Sequence, residues 1–92
     1  MIKSWRHKGL KIFFETGSKK GIQPSHHRRI QLILARLNVS TKAEDMDLPG
    51  LELHPLKGDR SEEFAVKVSG NWRIVFKFSG PDAYIVNYED YH

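Results

Sequence analysis

Among these 92 residues, the side chains able to do chemistry gather in the second half and at the chain end. His54 stands before a short basic turn, Leu56-Lys57-Gly58-Asp59-Arg60, which sets Lys57 and Arg60 beside an imidazole. Lys67, Arg73 and Lys77 follow, and the chain finishes Tyr88-Glu89-Asp90-Tyr91-His92. Imidazoles exchange protons near neutral pH, because their unperturbed pKa is ~6.5. A guanidinium holds an anion as a planar fork and an ammonium holds it as a point charge. Gly58 permits a positive φ and a close approach of backbone to ligand. Each residue also has an ordinary reading: Lys67 and Lys77 as solvated strand residues, Arg73 as the partner of a cross-strand carboxylate, His54 as a structural histidine. The terminal residues are harder to assign to packing, since chain ends fray unless held. Tyr88 and Tyr91 can hold this one, leaving Asp90 and His92 as polar groups at the sheet edge.

The elements that must position these groups are legible from periodicity. Ile2 and Trp5 anchor a short N-terminal strand. Lys8 to Glu15 reads as a helix with Leu10, Phe13 and Phe14 on its apolar side and Gly17 as its C-cap. Ser25 caps a second helix running to about Val39, with Ile30, Ile33, Leu34 and Leu37 as the buried stripe and His26, Arg29 and Arg36 toward the polar side. Residues 40–50 form a loop with one helical turn. The period then changes to two. Leu51–His54, Phe64–Val68, Trp72–Phe78 and Ala83–Tyr88 read as strands, the later ones joined by short glycine turns as antiparallel hairpins. The expected fold is one α+β domain over residues 1–92, its N-terminal helices packed on one face of an antiparallel sheet.

Alternation assigns the two faces. Leu51 and Leu53, then Phe64, Val66 and Val68, then Trp72, Ile74, Phe76 and Phe78 form the floor under the helices. Glu52, His54, Ala65, Lys67, Arg73, Val75 and Lys77 point the other way. The open face thus carries His54, Lys67, Arg73 and Lys77.

Charge divides the chain. Residues 1–42 carry ten Lys and Arg, among them Lys19, Lys20, Arg28, Arg29 and Arg36, against Glu15 alone, a net +9. Residues 43–92 carry five Lys and Arg against ten Asp and Glu, a net −5. The first half is either the docking face for a polyanion, nucleic acid first, or the solvated face of a basic protein. The absence of cysteine excludes disulfides, thiolate zinc sites and a cysteine nucleophile, and it fits a reducing cytoplasm. No apolar run approaches the ~20 residues of a membrane span, and the N-terminus lacks the apolar stretch of a signal peptide.

Three separate motifs carry a resemblance: Leu53-His54-Pro55-Leu56-Lys57-Gly58-Asp59-Arg60, Asn71-Trp72-Arg73-Ile74 and Asn87-Tyr88-Glu89-Asp90-Tyr91-His92. With the opening Met1-Ile2-Lys3-Ser4 and Lys8-Gly9-Leu10, they make the chain similar, along essentially its whole length, to the HigB toxins, or plasmid-maintenance killer proteins, of the RelE superfamily. The resemblance implies a compact microbial-ribonuclease-like fold. It also implies a ribosome-dependent messenger-RNA endonuclease of a type II toxin-antitoxin system, neutralised by a helix-turn-helix antitoxin called HigA. It carries an active site onto His54, Lys57, Arg73, Asp90, Tyr91 and His92, with the terminal Asp-Tyr-His marking the HigB branch.

That activity, taken as metal-free RNA cleavage, needs a base for the ribose 2′-hydroxyl, cations for the phosphorane-like transition state and an acid for the leaving 5′-oxygen. Arg73 and Lys57 suit the phosphate. His92 and Asp90 suit proton transfer, Tyr91 suits RNA positioning, and His54 suits either a second proton transfer or a phosphate contact. Arg60, Lys67 and Lys77, with Lys19, Lys20, Arg28, Arg29 and Arg36, are expected to contact RNA or the ribosome. No metal or cofactor is expected. A metal hydrolase built on His54, Asp90 and His92 has neither HxxxH nor HxH spacing, and His26 and His27 read as surface residues. The alternative is a non-catalytic RNA- or ribosome-binding module, which accounts for the charge asymmetry but not for the terminal His/Asp/Tyr.

Overall fold

The computed structural model describes residues 1–90. Helix α1 spans Lys8–Thr16. The imidazole Nδ1 of His7 accepts the Leu10 N–H at 3.0 Å and caps its start. Gly17, at φ +80°, ends it by returning its N–H to the Phe13 carbonyl. Leu10 and Phe13 are buried as the stripe requires. Phe14 is exposed, its ring lying against that of Trp5 with centroids 5.4 Å apart.

Helix α2 spans His27–Val39 and buries Ile30, Ile33, Leu34 and Leu37. The expected Ser25 cap is not used. Pro24–His26 forms a turn of 3₁₀-helix instead, with proline, which has no N–H to leave unpaired, in its first turn. That tighter turn carries His26 into the interior, contrary to the surface placement read from the sequence. It is 4% exposed, and its Nδ1 lies 2.6 Å from the Tyr88 hydroxyl. His27 is half-buried, its Nε2 on the Ile22 carbonyl. A further 3₁₀ turn, Ala43–Met46, supplies the helical turn expected in the following loop.

Strands β1 (His54–Pro55), β2 (Phe64–Ser69), β3 (Trp72–Ser79) and β4 (Asp82–Asp90) form an antiparallel sheet in that order. β1 is shorter than its alternation suggests because Glu52 has φ 51°, a left-handed conformation that interrupts the extended chain. The N-terminal segment lies parallel to β4 as two isolated bridges, Ile2 with Ala83 and Trp5 with Val86, rather than as a full strand. The helix-covered face holds Val66, Val68, Ile74, Phe76, Ala83 and Val86 in one apolar cluster with Leu10, Ile30, Leu34 and Leu37.

β4 contains a bulge. Val75 pairs with Asn87 and Lys77 with Tyr84, so two residues, Ile85 and Val86, oppose Phe76 alone. Ile85 sits at φ 50°, where a β-branched residue is strained. Ser4 holds it there with both side chain and backbone: the Ile85 N–H donates to Ser4 Oγ at 2.8 Å and the Val86 N–H to the Ser4 carbonyl. The extra residue changes the phase of β4. Ala83, Val86 and Tyr88 all turn inward, and Asn87 and Glu89 come out on the open face. No helix among the described residues is long and apolar enough to cross a membrane.

Candidate active site

Strand register builds the open face in rows. His54 stands opposite Ala65, Ala65 opposite Val75, and Val75 opposite Asn87. In the next row Lys67 stands opposite Arg73, and Arg73 opposite Glu89. Leu56 closes over Ala65 and Val75, and the three form a second, small apolar cluster. The face is therefore a dry patch ringed by charge. His54 approaches Arg73 from two strands away, a lateral separation of about 10 Å. Its Nδ1 bonds the Glu52 carbonyl at 2.9 Å, which leaves Nε2 for outside partners.

Arg73 is half-buried where β3 leaves the Gly70-Asn71 turn. Its Nη1 donates to the Gly70 carbonyl at 2.6 Å and the Trp72 carbonyl at 3.1 Å. Among the described residues, its Nε is buried without a hydrogen-bond partner. A cationic donor left unsatisfied in a protein interior is costly, and an anion offers more to it than two carbonyl dipoles do. The chain supports this position from below: Trp72 stacks on Tyr88 with centroids 4.5 Å apart, and His26 touches both rings by their edges. Burial pushes the Tyr88 phenol up in pKa. Lys57 is exposed just before Gly58–Arg60, a 3₁₀ turn that opens at Gly58 with φ +69°.

The structure places other residues differently from expectation. Arg60, expected on RNA, is saturated by protein. Its guanidinium reaches Glu89 Oε1 and Glu63 Oε1 at 3.0 Å each, and it bonds the second oxygen of both carboxylates as well. These bonds hold Arg60 well above its ordinary pKa, the Glu89 contact first and the Glu63 contact second. In turn Arg60 holds the Glu89 carboxyl below its usual range, with Asn87 contributing a further hydrogen bond at 2.9 Å. Lys67 pairs with Glu52 at 3.3 Å and Lys77 with Glu62 at 3.6 Å, both exposed enough to be weak pairs.

Asp90 stands in register with Trp72, out of phase with Arg73, and three strands from His54. The sheet thus separates Asp90 and His54 by about 14 Å, too far for one ion to bridge. Tyr91 and His92 lie outside the described residues.

The basic half is also mixed. Lys19, Lys20 and Arg28 are exposed. Arg29 is a structural tie, its Nε on the Lys67 carbonyl at 3.1 Å and its Nη2 on the Gly50 carbonyl at 2.6 Å. Arg36 Nε donates to the Asp45 carbonyl at 3.2 Å. Lys19, Arg28, Phe13 and Phe14 border a cavity of about 570 Å³ between the helices. Sequence reasoning missed Glu63, Asn87 and Glu89; the proximity of Glu89 to Arg73 follows from the bulge, which no local pattern announces.

The profile of HigB-like toxins, described as RelE-like toxins of the type II toxin-antitoxin system HigB, matches residues 3–92. The chain is similar to Endoribonuclease HigB of Proteus vulgaris, at 46% identity over 92 residues that cover all of both chains. The two-helix, four-strand α+β architecture agrees with a RelE-like fold. A family match over residues 3–92, joined to 46% identity with a full-length relative, identifies this chain as a member of the HigB-like family, a RelE-like toxin of a type II toxin-antitoxin system with an antitoxin as its partner.

Proposed function

We propose that this toxin is an endoribonuclease that cuts messenger RNA on the ribosome, without a metal, by attack of the ribose 2′-hydroxyl on the adjacent phosphorus. The observation that carries this reading is Arg73: a half-buried guanidinium on the open face, opposite Lys67, with its Nε unpaired. The likeness to an endoribonuclease over the full chain supports it. Arg73 and Lys57 take the non-bridging oxygens and stabilise the charge that grows on them in the transition state. As the 2′-oxygen bonds to phosphorus, its proton passes to a base. As the bond from phosphorus to the 5′-oxygen breaks, an acid returns a proton to that oxygen. His92 and Asp90 are the groups assigned to these transfers, with Tyr91 against the RNA; Asp90, out of phase with Arg73, serves only if the RNA reaches round the end of β4. His54 acts on the same phosphate only if the RNA lies across the Ala65–Val75 patch toward β1.

Lys19, Lys20 and Arg28 form the exposed cationic surface assigned to ribosomal RNA, and the protein works in the cytoplasm beside its substrate. The antitoxin is of the helix-turn-helix HigA type. The test is purified protein with programmed ribosomes at a fixed magnesium concentration, which the ribosome itself needs, read by the chemistry of the fragment ends. The expected products are a 2′,3′-cyclic phosphate, or the 3′-phosphate derived from it, and a free 5′-hydroxyl. A message with a 2′-deoxy sugar at the cleavage position should resist. Fragments with 5′-phosphates, or normal cutting of the 2′-deoxy message, would overturn the mechanism. Binding without cutting would overturn the activity in favour of a non-catalytic module.

A further inference from the structure

Register places Glu89 directly opposite Arg73 on adjacent antiparallel strands and on the same face of the sheet. Opposite charges in that relation ordinarily pair. Here they do not: Arg60 takes both Glu89 oxygens, and Asn87 Nδ2 adds a bond to Oε2. Arg60 is itself anchored by Glu63, which is 8% exposed and which Arg6 also approaches, at 3.5 Å. Arg73 turns instead to the carbonyls of Gly70 and Trp72 and keeps an unpaired Nε.

We infer that Arg60 is a positioning residue: with Glu63 and Asn87 it holds the Glu89 carboxylate away from Arg73 and so keeps the Arg73 guanidinium available for phosphate. The inference rests on the reading of Arg73 as the phosphate-binding group. Arg60 does not touch RNA in this scheme. Without it, Glu89 keeps only the Asn87 hydrogen bond and can swing to Arg73 on the adjacent strand, where a substrate phosphate must displace it. The cost of breaking such a half-exposed pair corresponds to roughly a fivefold loss in kcat/KM.

The experiment compares Arg60→Gln, Arg60→Gln/Glu63→Gln and Arg60→Gln/Glu89→Gln. Removing Arg60 leaves Glu63 with only Arg6 and Glu89 with only Asn87, so thermal stability falls in the single variant and recovers partly in both doubles. Activity on programmed ribosomes should fall about fivefold in the single variant and in the Glu63 double, and should return to the wild-type rate only in the Glu89 double. The Arg73 Nε–Hε resonance, followed by NMR without RNA, reports the pairing directly. It should shift in Arg60→Gln and return only when Glu89→Gln is added. Equal recovery of activity in the two doubles, or an unmoved Arg73 resonance, would overturn the inference. A wild-type protein that cuts no message overturns the proposed reaction instead, and the Arg73 resonance then decides the clamp by itself.

Discussion

Two arginines of the open face teach opposite lessons. Arg60 lies in the β1–β2 connection and Arg73 at the start of β3, each a few residues after a glycine. Arg60 meets two carboxylates and is bonded to all four of their oxygens. Among the described residues, Arg73 bonds two backbone carbonyls and leaves a buried nitrogen without a partner. A charge that the fold neutralises is part of the fold. A charge that the fold houses but does not satisfy is available to an anion from outside. Neighbours differ in the same way on α2: Arg29 is tied to the Gly50 and Lys67 carbonyls, whereas the adjacent Arg28 is exposed.

The comparison breaks first, if it breaks, at Arg73. Arg73→Ala should lower turnover on programmed ribosomes by about 10²–10³, the effect of removing a preorganised donor from a developing charge. Its melting temperature should change little, since no carboxylate depends on it in the way Glu63 and Glu89 depend on Arg60. Arg73→Lys should restore only part of the rate, because an ammonium cannot reproduce the fork. Equal damage to stability and rate would erase the distinction between the two arginines. Removing His92 tests the other half of the proposed chemistry. Loss of a general acid or base should cost about 10²-fold in turnover while ribosome binding, measured by co-sedimentation, stays within a factor of two.

Helices and strands were readable because they are local. The 3.6 period of Ile30, Ile33, Leu34 and Leu37 and the alternation of Trp72 to Phe78 survive in the structure. What depends on distant chain was not readable. Nothing near Tyr84 announces that Ser4 will hold a strained Ile85 and shift the phase of β4. Nothing near Ser25 announces that His26 will be drawn inward to a tyrosine 62 residues away. For the same reason residue type alone nominates both Arg60 and Arg73 as cations for RNA; only the resemblance sets Arg73 apart, and nothing local shows that the fold neutralises Arg60. Their difference lies in which carboxylates arrive beside them: Glu63 from the same connection as Arg60, and Glu89, whose placement is set by the bulge in β4.

Arg60 should show its effect in stability. Arg60→Ala leaves Glu63 buried with only Arg6 nearby, and breaking a buried ion pair costs ~3–5 kcal/mol. Arg60 is one-third exposed, so solvent screening reduces the expected loss to about 2 kcal/mol. Urea denaturation would measure it. The acid limb follows with a definite sign. Arg60 lowers the folded pKa of Glu89, so the stability this provides is fully present above the ordinary value of 4.5 and is lost as pH falls through the lower folded value. Glu89→Gln should therefore flatten the loss of stability below pH 4.5, with little change in its slope at neutral pH.

The smallest effect gives the sharpest comparison. Lys67 and Lys77 are both strand residues on the open face, equally exposed, and each has one weak carboxylate partner. Lys67 stands opposite Arg73, whereas Lys77 stands opposite Tyr84 beyond the bulge. Exposed ion pairs contribute ~0–1 kcal/mol, so alanine at either position should leave the melting temperature within a few degrees. Turnover should distinguish them. Lys67→Ala removes a positive charge one strand from the proposed phosphate position and should reduce kcat/KM about threefold, with the deficit narrowing as salt is raised. Lys77→Ala should leave it unchanged. Equal losses in the two variants would mean that the face acts through its general field. A loss confined to Lys67 would place the scissile phosphate in the row of Arg73.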